Sequence, residues 1–214
     1  DAWWSHIEAG AEAIVINISG CGAMVKDYGH LLRNDPVYAE RARHIAGITF
    51  DLSEWLSREL AQYRPARPLK PQRLVFHPPC TLQHAQKIRG VVEDMLTIWG
   101  AELQPIRDSH LCCGSAGAYS VLQPDISQQL RTRKLDNLEH SRPELILSTN
   151  VGCIAHLGAG TDTPVMHWIE WIEQRLEVGG REGRDGGRGI RRGTPPCYGP
   201  LRTPCVRMRS SSSS

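Results

Sequence analysis

Two cysteines stand side by side in the stretch HLCCGSAGAYSVL, residues 110–122. Adjacent Cα atoms are only about 3.8 Å apart, which is below the usual range for a disulfide, so Cys112 and Cys113 are expected to stay unbridged to each other. Two further cysteines occur in related settings, Cys80 in HPPC and Cys153 in GCIAH. Such thiols have no chemical role, are redox-active or bind a metal. The secondary-structure elements that position them help to decide between these three possibilities.

Each of these cysteines follows a predicted β-strand or begins a predicted helix. The predicted strands of this half are 73–79, 101–106 and 144–150, and the predicted helices are 85–100, 115–122, 124–140 and a short one after Gly152-Cys153. Strands that alternate with helices indicate a parallel sheet with helices on its faces. The carboxyl ends of such strands share one edge, so cysteines that are distant in sequence are expected to converge there.

That edge suits negatively charged sulfur. Helix amino termini offer free N–H groups and a partial positive charge, which lower the pKa of a nearby thiol. Gly114 and Gly152 are expected to let the backbone approach the sulfurs closely. A lone cysteine after a strand is often only a packing residue, but four at strand ends favour a soft, iron–sulfur-like site. The predicted metal ligands are Cys80, Cys112, Cys113 and Cys153.

Other potential donors lie close to this pattern. His156, three residues after Cys153, is a weaker candidate ligand, and so is Cys21 in the first half of the chain. His77 and His110 precede cysteines and are expected to donate hydrogen bonds to cluster sulfurs, the alternative being that they are solvated loop residues.

The first part of the chain repeats features of the second. INISGCGAM (16–24) is similar to LSTNVGCIAH (147–156), and DLSEWLSREL (51–60) is similar to HWIEWIEQRL (167–176). A strand at 13–19 and helices at 23–33, 36–47 and 51–62 are predicted there. The expected fold is therefore α/β, with two tandem repeats of a small parallel sheet, the first of them truncated. The predicted boundaries are a first repeat at 1–63, a linker at 64–72, a second repeat at 73–177 and a tail at 178–214.

The tail differs in composition from the rest. Residues 1–178 contain 17 Lys and Arg against 21 Asp and Glu, whereas residues 179–214 contain eight Arg against two acids. The basic excess therefore belongs to the tail, and nothing points to a nucleic-acid partner of the folded part. Its Gly, Arg, Pro and Ser content predicts disorder, and its Cys197 and Cys205 are left out of the predicted site.

The location of the protein is inferred from what the sequence lacks. No run approaches the roughly 18 apolar residues of a membrane span, and no leader pattern is present. A cytoplasmic protein is expected, with peripheral attachment to the inner face of the plasma membrane left open. In a reducing cytosol, cysteines serve as metal ligands or catalytic groups more often than as disulfides.

The pattern HPPC…CCG…GCIAH resembles the cysteine-rich CCG domain that occurs in heterodisulfide reductases and in iron–sulfur subunits of flavin-linked dehydrogenases. DAWWSHIEAGAEAIVINISGCGAMVKDYGHLL and HPPCTLQHAQKIRGVVEDMLTIWGAEL are similar to the C-terminal half of such subunits in glycolate oxidases, and the resemblance covers about residues 1–177. In this family a full motif ends in CxxC, whereas here His156 stands in the last position and Met24 in its counterpart. The ferredoxin-like run CxxCxxCxxxCP of the family is absent.

The resemblance implies a function and partners. It implies that a separate FAD subunit oxidises glycolate to glyoxylate, while this chain passes electrons through an iron–sulfur cluster, expected to be [4Fe–4S], to a quinone or another acceptor. Two alternatives stay open. One is a thiol or heterodisulfide reductase with Cys112 or Cys113 as nucleophile. The other is a zinc-stabilised interaction module that uses Cys80, Cys112 or Cys113, Cys153 and His156.

Overall fold

A computed structural model describes residues 1–59 and 70–180, with side chains up to residue 175. Most of the predicted linker (64–69) and most of the predicted tail (181–214, with Cys197 and Cys205) lie outside these residues. The described residues all fall within one compact unit, Asp1–Glu182. None of their helices is long and apolar enough to cross a lipid bilayer.

The described elements alternate between strands and helices. The strands are β1 (Ile14–Ile16), β2 (Thr49–Asp51), β3 (Gln72–His77), β4 (Ala101–Leu103), β5 (Leu145–Ser148) and β6 (Val165–His167). The helices are α1 (Trp4–Glu8), α2 (Ser19–Lys26), α3 (Tyr28–Leu31), α4 (Ala39–Gly47), α5 (Leu52–Glu59), α6 (Val91–Ile98), α7 (Tyr119–Leu122), α8 (Pro124–Glu139), α9 (Val151–Gly158) and α10 (Trp168–Gly180). A π-helical turn occupies Thr81–Ala85.

Both sheets are parallel, which confirms the predicted α/β class. The smaller sheet pairs β1 with β2, and the larger one has the strand order β4-β3-β5-β6. In the larger sheet Leu74 lies opposite Leu103 on one side and Leu145 on the other. Strand β3 thus stands between β4 and β5, so the loops that follow these three strands leave the sheet side by side.

Successive side chains of β3 point to opposite faces of the sheet and enter two separate hydrophobic cores, because side chains alternate along a strand. Leu74 and Phe76 belong to a cluster that also contains core residues of α6 and α10, namely Val92, Met95, Leu96, Trp168, Trp171 and Ile172. Val75 belongs to the opposite cluster, which contains Leu135, Leu138, Ile146, Leu157, Cys113 and Cys153. Two of the predicted metal ligands are therefore part of the core between the sheet and helices α8 and α9.

Two strands that the sequence did not predict extend the internal similarity. β2 and β6 are three residues long, and each leads directly into a helix of the repeated Glu-Trp segment. At the first junction, Asp51 Oδ1 accepts the backbone N–H of Ser53 at 2.9 Å. At the second, His167 Nδ1 accepts the N–H of Ile169 at 3.3 Å. Both parts of the chain therefore contain a strand, a helix, a short strand and a further helix, with a side-chain cap at the same place. In the first part, α3 and α4 are inserted before the second strand.

The predicted helix 85–100 is shorter in the structure. The π-helical turn follows Cys80. Gly90, with φ of +78°, is the N-cap residue of α6, and Val91 is the first residue of that helix. Glu93 and Asp94 then lie in the first turn, where negative charge is favourable. The apolar face that the sequence predicts for this segment is nevertheless present in the core, as Ile88, Val91, Val92, Met95, Leu96 and Trp99.

The first sheet contacts the end of the larger sheet where the cysteines lie. Ser19, at the start of α2, shares a 2.9 Å hydrogen bond with Thr81, and its carbonyl accepts from Gln86 Nε2 at 2.9 Å. The carbonyl of Thr149 accepts the N–H of Ser19 at 3.1 Å. These polar contacts lie next to Cys80 and Cys153 in sequence, so α2 supports the loops that carry them.

Candidate metal centre

The four thiols of the second half reach one place from three loops. Cys80 lies three residues beyond the end of β3 and immediately precedes the π-helical turn. Cys112 and Cys113 lie in the loop that joins β4 to α7, and Cys153 lies in the first turn of α9. Because β3 stands between β4 and β5, these loops are neighbours, and the thiols form a consecutive series in the order Cys80, Cys112, Cys113, Cys153.

His77 extends this series at its buried end. The ligand atoms of His77, Cys113 and Cys153 all lie within 4.8 Å of one another. Cys113 and Cys153 are buried, and His77, the last residue of β3, is 0% exposed. Cys80 and Cys112 are partly exposed at the outer end. We name these five residues the thiol–histidine cluster.

The thiols perturb one another's pKa values because each lies in contact with the next. Contact with Cys113 and then with Cys80 lowers the pKa of Cys112, and the backbone N–H of Gly114, 3.3 Å from its sulfur, acts in the same direction. Contact with Cys113 also lowers the pKa of Cys153, with a smaller contribution from His77. The pKa of Cys113, between these two sulfurs, is raised by contact with both and by burial. Contact with Cys112 and burial also raise the pKa of Cys80. The cluster thus favours thiolate, the form that binds metals, at Cys112 and Cys153, and thiol at Cys80 and Cys113.

Asn150 and the two glycines shape the backbone around the sulfurs. Gly114 has φ of +93°, and a Cβ atom there would lie 2.3 Å from the carbonyl oxygen of Ser127. At Gly152 a Cβ atom would lie 2.9 Å from Ser115 Oγ. Asn150 caps α9 by accepting the N–H of Gly152 at 3.1 Å, which fixes the turn that carries Cys153. Both glycines therefore lie where a side chain would clash, and the Gly114 N–H is 3.3 Å from the Cys112 sulfur. Approach of the Gly152 backbone to a sulfur stays a prediction.

Comparison with known proteins yields a family for this arrangement. The profile of the cysteine-rich domain named CCG matches residues 74–158, the segment that holds the whole thiol–histidine cluster. The glycolate oxidase iron-sulfur subunit of Escherichia coli (strain K12) is 51% identical over 177 residues, which are 83% of this chain and 43% of that protein. The lactate utilization protein A of Geobacillus thermodenitrificans is 30% identical over 176 residues, which are 78% of this chain and 72% of that protein.

The chain belongs to the cysteine-rich CCG domain family. A second lactate utilization protein A, from an Exiguobacterium species, is 28% identical over 176 residues, 79% of this chain and 71% of that protein. The chain spans less than half the length of the E. coli subunit.

His156 stands where the full CCG motif has its last cysteine, and the structure places it beside Ser127. Its Nε2 lies 3.2 Å from Ser127 Oγ and 3.4 Å from the Ser127 carbonyl. Because Ser127 Oγ donates to the Gly114 carbonyl at 2.8 Å, the hydroxyl is free to accept a hydrogen from His156. His156 therefore supports the loop of the CCG motif, and it is not among the residues grouped with His77, Cys113 and Cys153.

The remaining predicted residues lie further from the buried sulfurs. His110 is exposed, and its carbonyl, rather than its ring, is in contact with His84 Nε2 at 3.3 Å. Cys21 is exposed on α2. Met24, in the place of the second cysteine of the first motif, is 54% exposed.

Two polar residues of α8 that border the CCG site were not predicted from the sequence. Lys134 is 0% exposed, and its Nζ donates to the carbonyls of Ser109 at 3.0 Å and Asp108 at 3.4 Å, in the loop that leads to Cys112. Ser127 is 1% exposed and holds both Gly114 and His156. The signal was available, because these two residues share the helical spacing of the buried leucines at 135 and 138.

Lys134 is the cation of the site. Burial lowers the pKa of Lys134, while the neighbouring groups of Cys80, Cys113 and Cys112 act in the opposite direction. A buried ammonium group beside several thiolates offsets part of their charge. The five cluster residues with Lys134 thus form a soft donor set whose negative charge is partly balanced, which fits an iron–sulfur centre.

Proposed function

We propose that this chain is an iron–sulfur electron-transfer subunit, or part of one, in a flavin-linked dehydrogenase that oxidises glycolate or a related 2-hydroxy acid. Electrons would enter from an FAD-binding partner subunit, on which the hydroxy acid is oxidised, and leave to a quinone or another acceptor. The complex would work in the cytoplasm, at the inner face of the plasma membrane where it reaches a quinone.

The observation that carries the proposal is the convergence of four thiols from three separate loops. Four cysteine ligands are the usual donor set of a [4Fe–4S] cluster, and such a cluster accepts and releases one electron at a time. The protein's own contribution is to hold Cys80, Cys112, Cys113 and Cys153 at one edge of the sheet and to exclude water from the inner two. The name of the E. coli relative, an iron-sulfur subunit of glycolate oxidase, supports the same assignment.

The second candidate is a zinc-stabilised interaction module, which one distance favours. Zn–S bonds of about 2.3 Å in a tetrahedral site place ligand atoms roughly 3.8 Å apart. The ligand atoms of His77, Cys113 and Cys153 lie within 4.8 Å of one another, which is compatible with a single ion. The name of the E. coli relative favours iron over zinc, and metal analysis separates the two.

The test is the metal content of the full chain, purified without oxygen and reconstituted with iron and sulfide. We expect iron and acid-labile sulfide in similar amounts, a broad absorption near roughly 400 nm and an EPR signal after reduction. Colourless protein that holds one zinc ion per chain and no sulfide would refute the electron-transfer role. If the cluster forms, reduction of the chain by a glycolate-oxidising flavoprotein tests the proposed partner.

A further inference from the structure

His77 is a buried imidazole whose ring nitrogens have no oxygen or nitrogen partner among the described residues. Its ring is 0% exposed, and its polar contact in that part of the chain is with the thiol of Cys153, whose pKa it lowers. Most buried polar atoms in native proteins are paired, so a ring placed against sulfur alone calls for a reason. The fold nevertheless fixes His77 at the end of β3, where Ser148 Oγ donates to its backbone carbonyl at 3.0 Å. The ring therefore has a use that these hydrogen bonds do not provide.

The ring faces the innermost sulfurs. Its ligand nitrogen, Cys113 Sγ and Cys153 Sγ all lie within 4.8 Å of one another, and all three residues are buried. Neutral imidazole and thiolate are both good ligands for iron and zinc. A metal bound at one ring nitrogen would use a lone pair that has no other partner among the described residues.

His156, the histidine that occupies the motif's last position, is engaged elsewhere. Its Nε2 is directed at Ser127, at 3.2 Å from the hydroxyl and 3.4 Å from the carbonyl. An Nε2 that donates its hydrogen to these oxygens has no lone pair to give a metal. Neither ring nitrogen of His156 belongs to the group of ligand atoms within 4.8 Å of one another, which among the described residues contains His77, Cys113 and Cys153. The same Ser127 hydroxyl donates to Gly114, so this contact is part of the packing between α8 and the CCG loop.

We propose that His77, and not His156, is the nitrogen ligand of the metal centre, completing a set with Cys80, Cys112, Cys113 and Cys153. The proposal rests on the metal site proposed above. A centre with several iron atoms could use all five donors, whereas a single zinc ion would take His77 with three of the thiols. The proposal assigns to the end of strand β3 the fifth donor that the sequence of the motif does not supply.

The decisive experiment labels the histidines of the full chain with ¹⁵N. The reduced, reconstituted protein is studied by pulsed EPR with and without the label, so that a change in nitrogen coupling identifies a histidine bound to the cluster. The variants are His77→Gln and the matched double variant His110→Gln/His156→Gln, which removes the other two histidines that lie within three residues of a cysteine. We expect the coupling of a directly bound nitrogen in the parent protein and in the double variant, and its loss in His77→Gln.

Two results would overturn the proposal. One is a parent cluster without the coupling of a bound histidine nitrogen. The other is loss of the coupling in the double variant. Should His77→Gln fail to fold, the parent and the double variant still decide, and His77→Cys adds a check because it should hold iron without the histidine coupling.

If the chain binds no iron–sulfur cluster, the electron-transfer role fails while the ligand assignment is still testable. Co²⁺ then replaces zinc, and its visible absorption reports the bound donors. We expect His77→Gln to weaken Co²⁺ binding at least tenfold and to shift the absorption, and His110→Gln, at an exposed histidine, to do neither. Equal binding and spectra in His77→Gln and the parent would refute the assignment.

Discussion

At the scale of single residues, the two adjacent cysteines have different surroundings. Cys113 is 1% exposed and lies between Cys112 and Cys153, whereas Cys112 is partly exposed and lies between Cys80 and Cys113. Adjacent side chains point in different directions, so both can serve one centre only if it contains several metal atoms. The pair therefore tests the nature of the centre.

We predict that Cys112→Ser and Cys113→Ser each lower the iron content of anaerobically reconstituted protein, by roughly half or more, because each removes a thiolate ligand. Iron and sulfide per chain are the measurement. Cys21→Ser, at an exposed cysteine on α2, is the matched control and should keep the parent's iron content. Full iron content in either of the first two variants would remove that cysteine from the ligand set.

Lys134 offers a second test at this scale, because it is a buried cation next to the thiols. Replacing it by Met removes a positive charge that favours the reduced, more negative form of a cluster, so the reduction potential should fall. A tenfold change in the one-electron equilibrium, about 59 mV, is the expected order. Redox titration followed by EPR measures it.

The control for Lys134 lies one position away. Arg133→Met removes an equal charge from an exposed side chain that also contacts Asp108, at 3.6 Å. It should leave the potential close to that of the parent, because solvent screens an exposed charge. Equal shifts in both variants would show that net charge, and not the buried position, matters.

At the scale of elements, the ends of strands and the starts of helices position the side chains of the metal site. β3 ends at His77, β5 is followed by the Asn150 cap of α9, and α8 holds the CCG loop through Ser127 and Lys134. Helix α6 packs on the other face of the sheet, away from the sulfurs. Changes in α6 should therefore alter stability without altering the metal site.

Glu93 in the first turn of α6 gives a pH-dependent prediction. Burial raises the pKa of its carboxyl above the ordinary value of 4.5. The folded state thus binds this proton more tightly than the unfolded chain, so the stabilisation is present below pH 4.5 and is lost as the pH rises through the folded pKa. Glu93→Gln should raise the thermal midpoint at neutral pH by about 1–3 °C, with the gain shrinking as the pH falls toward the ordinary pKa.

Thermal unfolding followed by circular dichroism at several pH values measures this gain. Asp94→Asn, at the exposed neighbour in the same turn, is the control for loss of a charge near the helix start and should not give the gain. A gain in Glu93→Gln that stays constant with pH would contradict the titration argument. Iron content should equal the parent's in both variants.

At the scale of the whole molecule, all proposed donors come from residues 77–153, within the CCG match at 74–158. The first sheet adds support from α2 through Ser19 rather than ligands. Cys197 and Cys205 lie outside the described residues, and the proposed donor set is complete without them. The tail is therefore expected to have no part in metal binding.

We predict that the double variant Cys197→Ser/Cys205→Ser, made in the full chain, keeps the iron and sulfide content of the parent protein. The reason is that five donors already meet at the thiol–histidine cluster, which exceeds the four that a cubane cluster uses. Iron and sulfide assays on protein reconstituted in parallel measure the outcome. A lower content of iron or sulfide than in the parent would bring the tail's thiols into the site.

Much of the architecture follows from the sequence, because it depends on local patterns and on general rules of parallel sheets. The apolar runs around residues 73–79 and 144–150 predicted β3 and β5, and the rule that strand ends share an edge predicted that Cys80 and Cys153 would approach each other. The three-residue strands β2 and β6 were missed, since such short segments have too few residues to show a period.

The sequence by itself determined which thiols belong to the site and at which edge of the sheet they lie, because strand order and chain direction fix where each loop emerges. It did not decide which histidine faces them. His77 and His156 lie equally near a cysteine in sequence, but the packing of α8 places Ser127 against His156, whereas the ring of His77 lies against the sulfurs of Cys113 and Cys153. The direction of a side chain and the burial of Lys134 depend on contacts between distant elements, and only the tertiary structure fixes those.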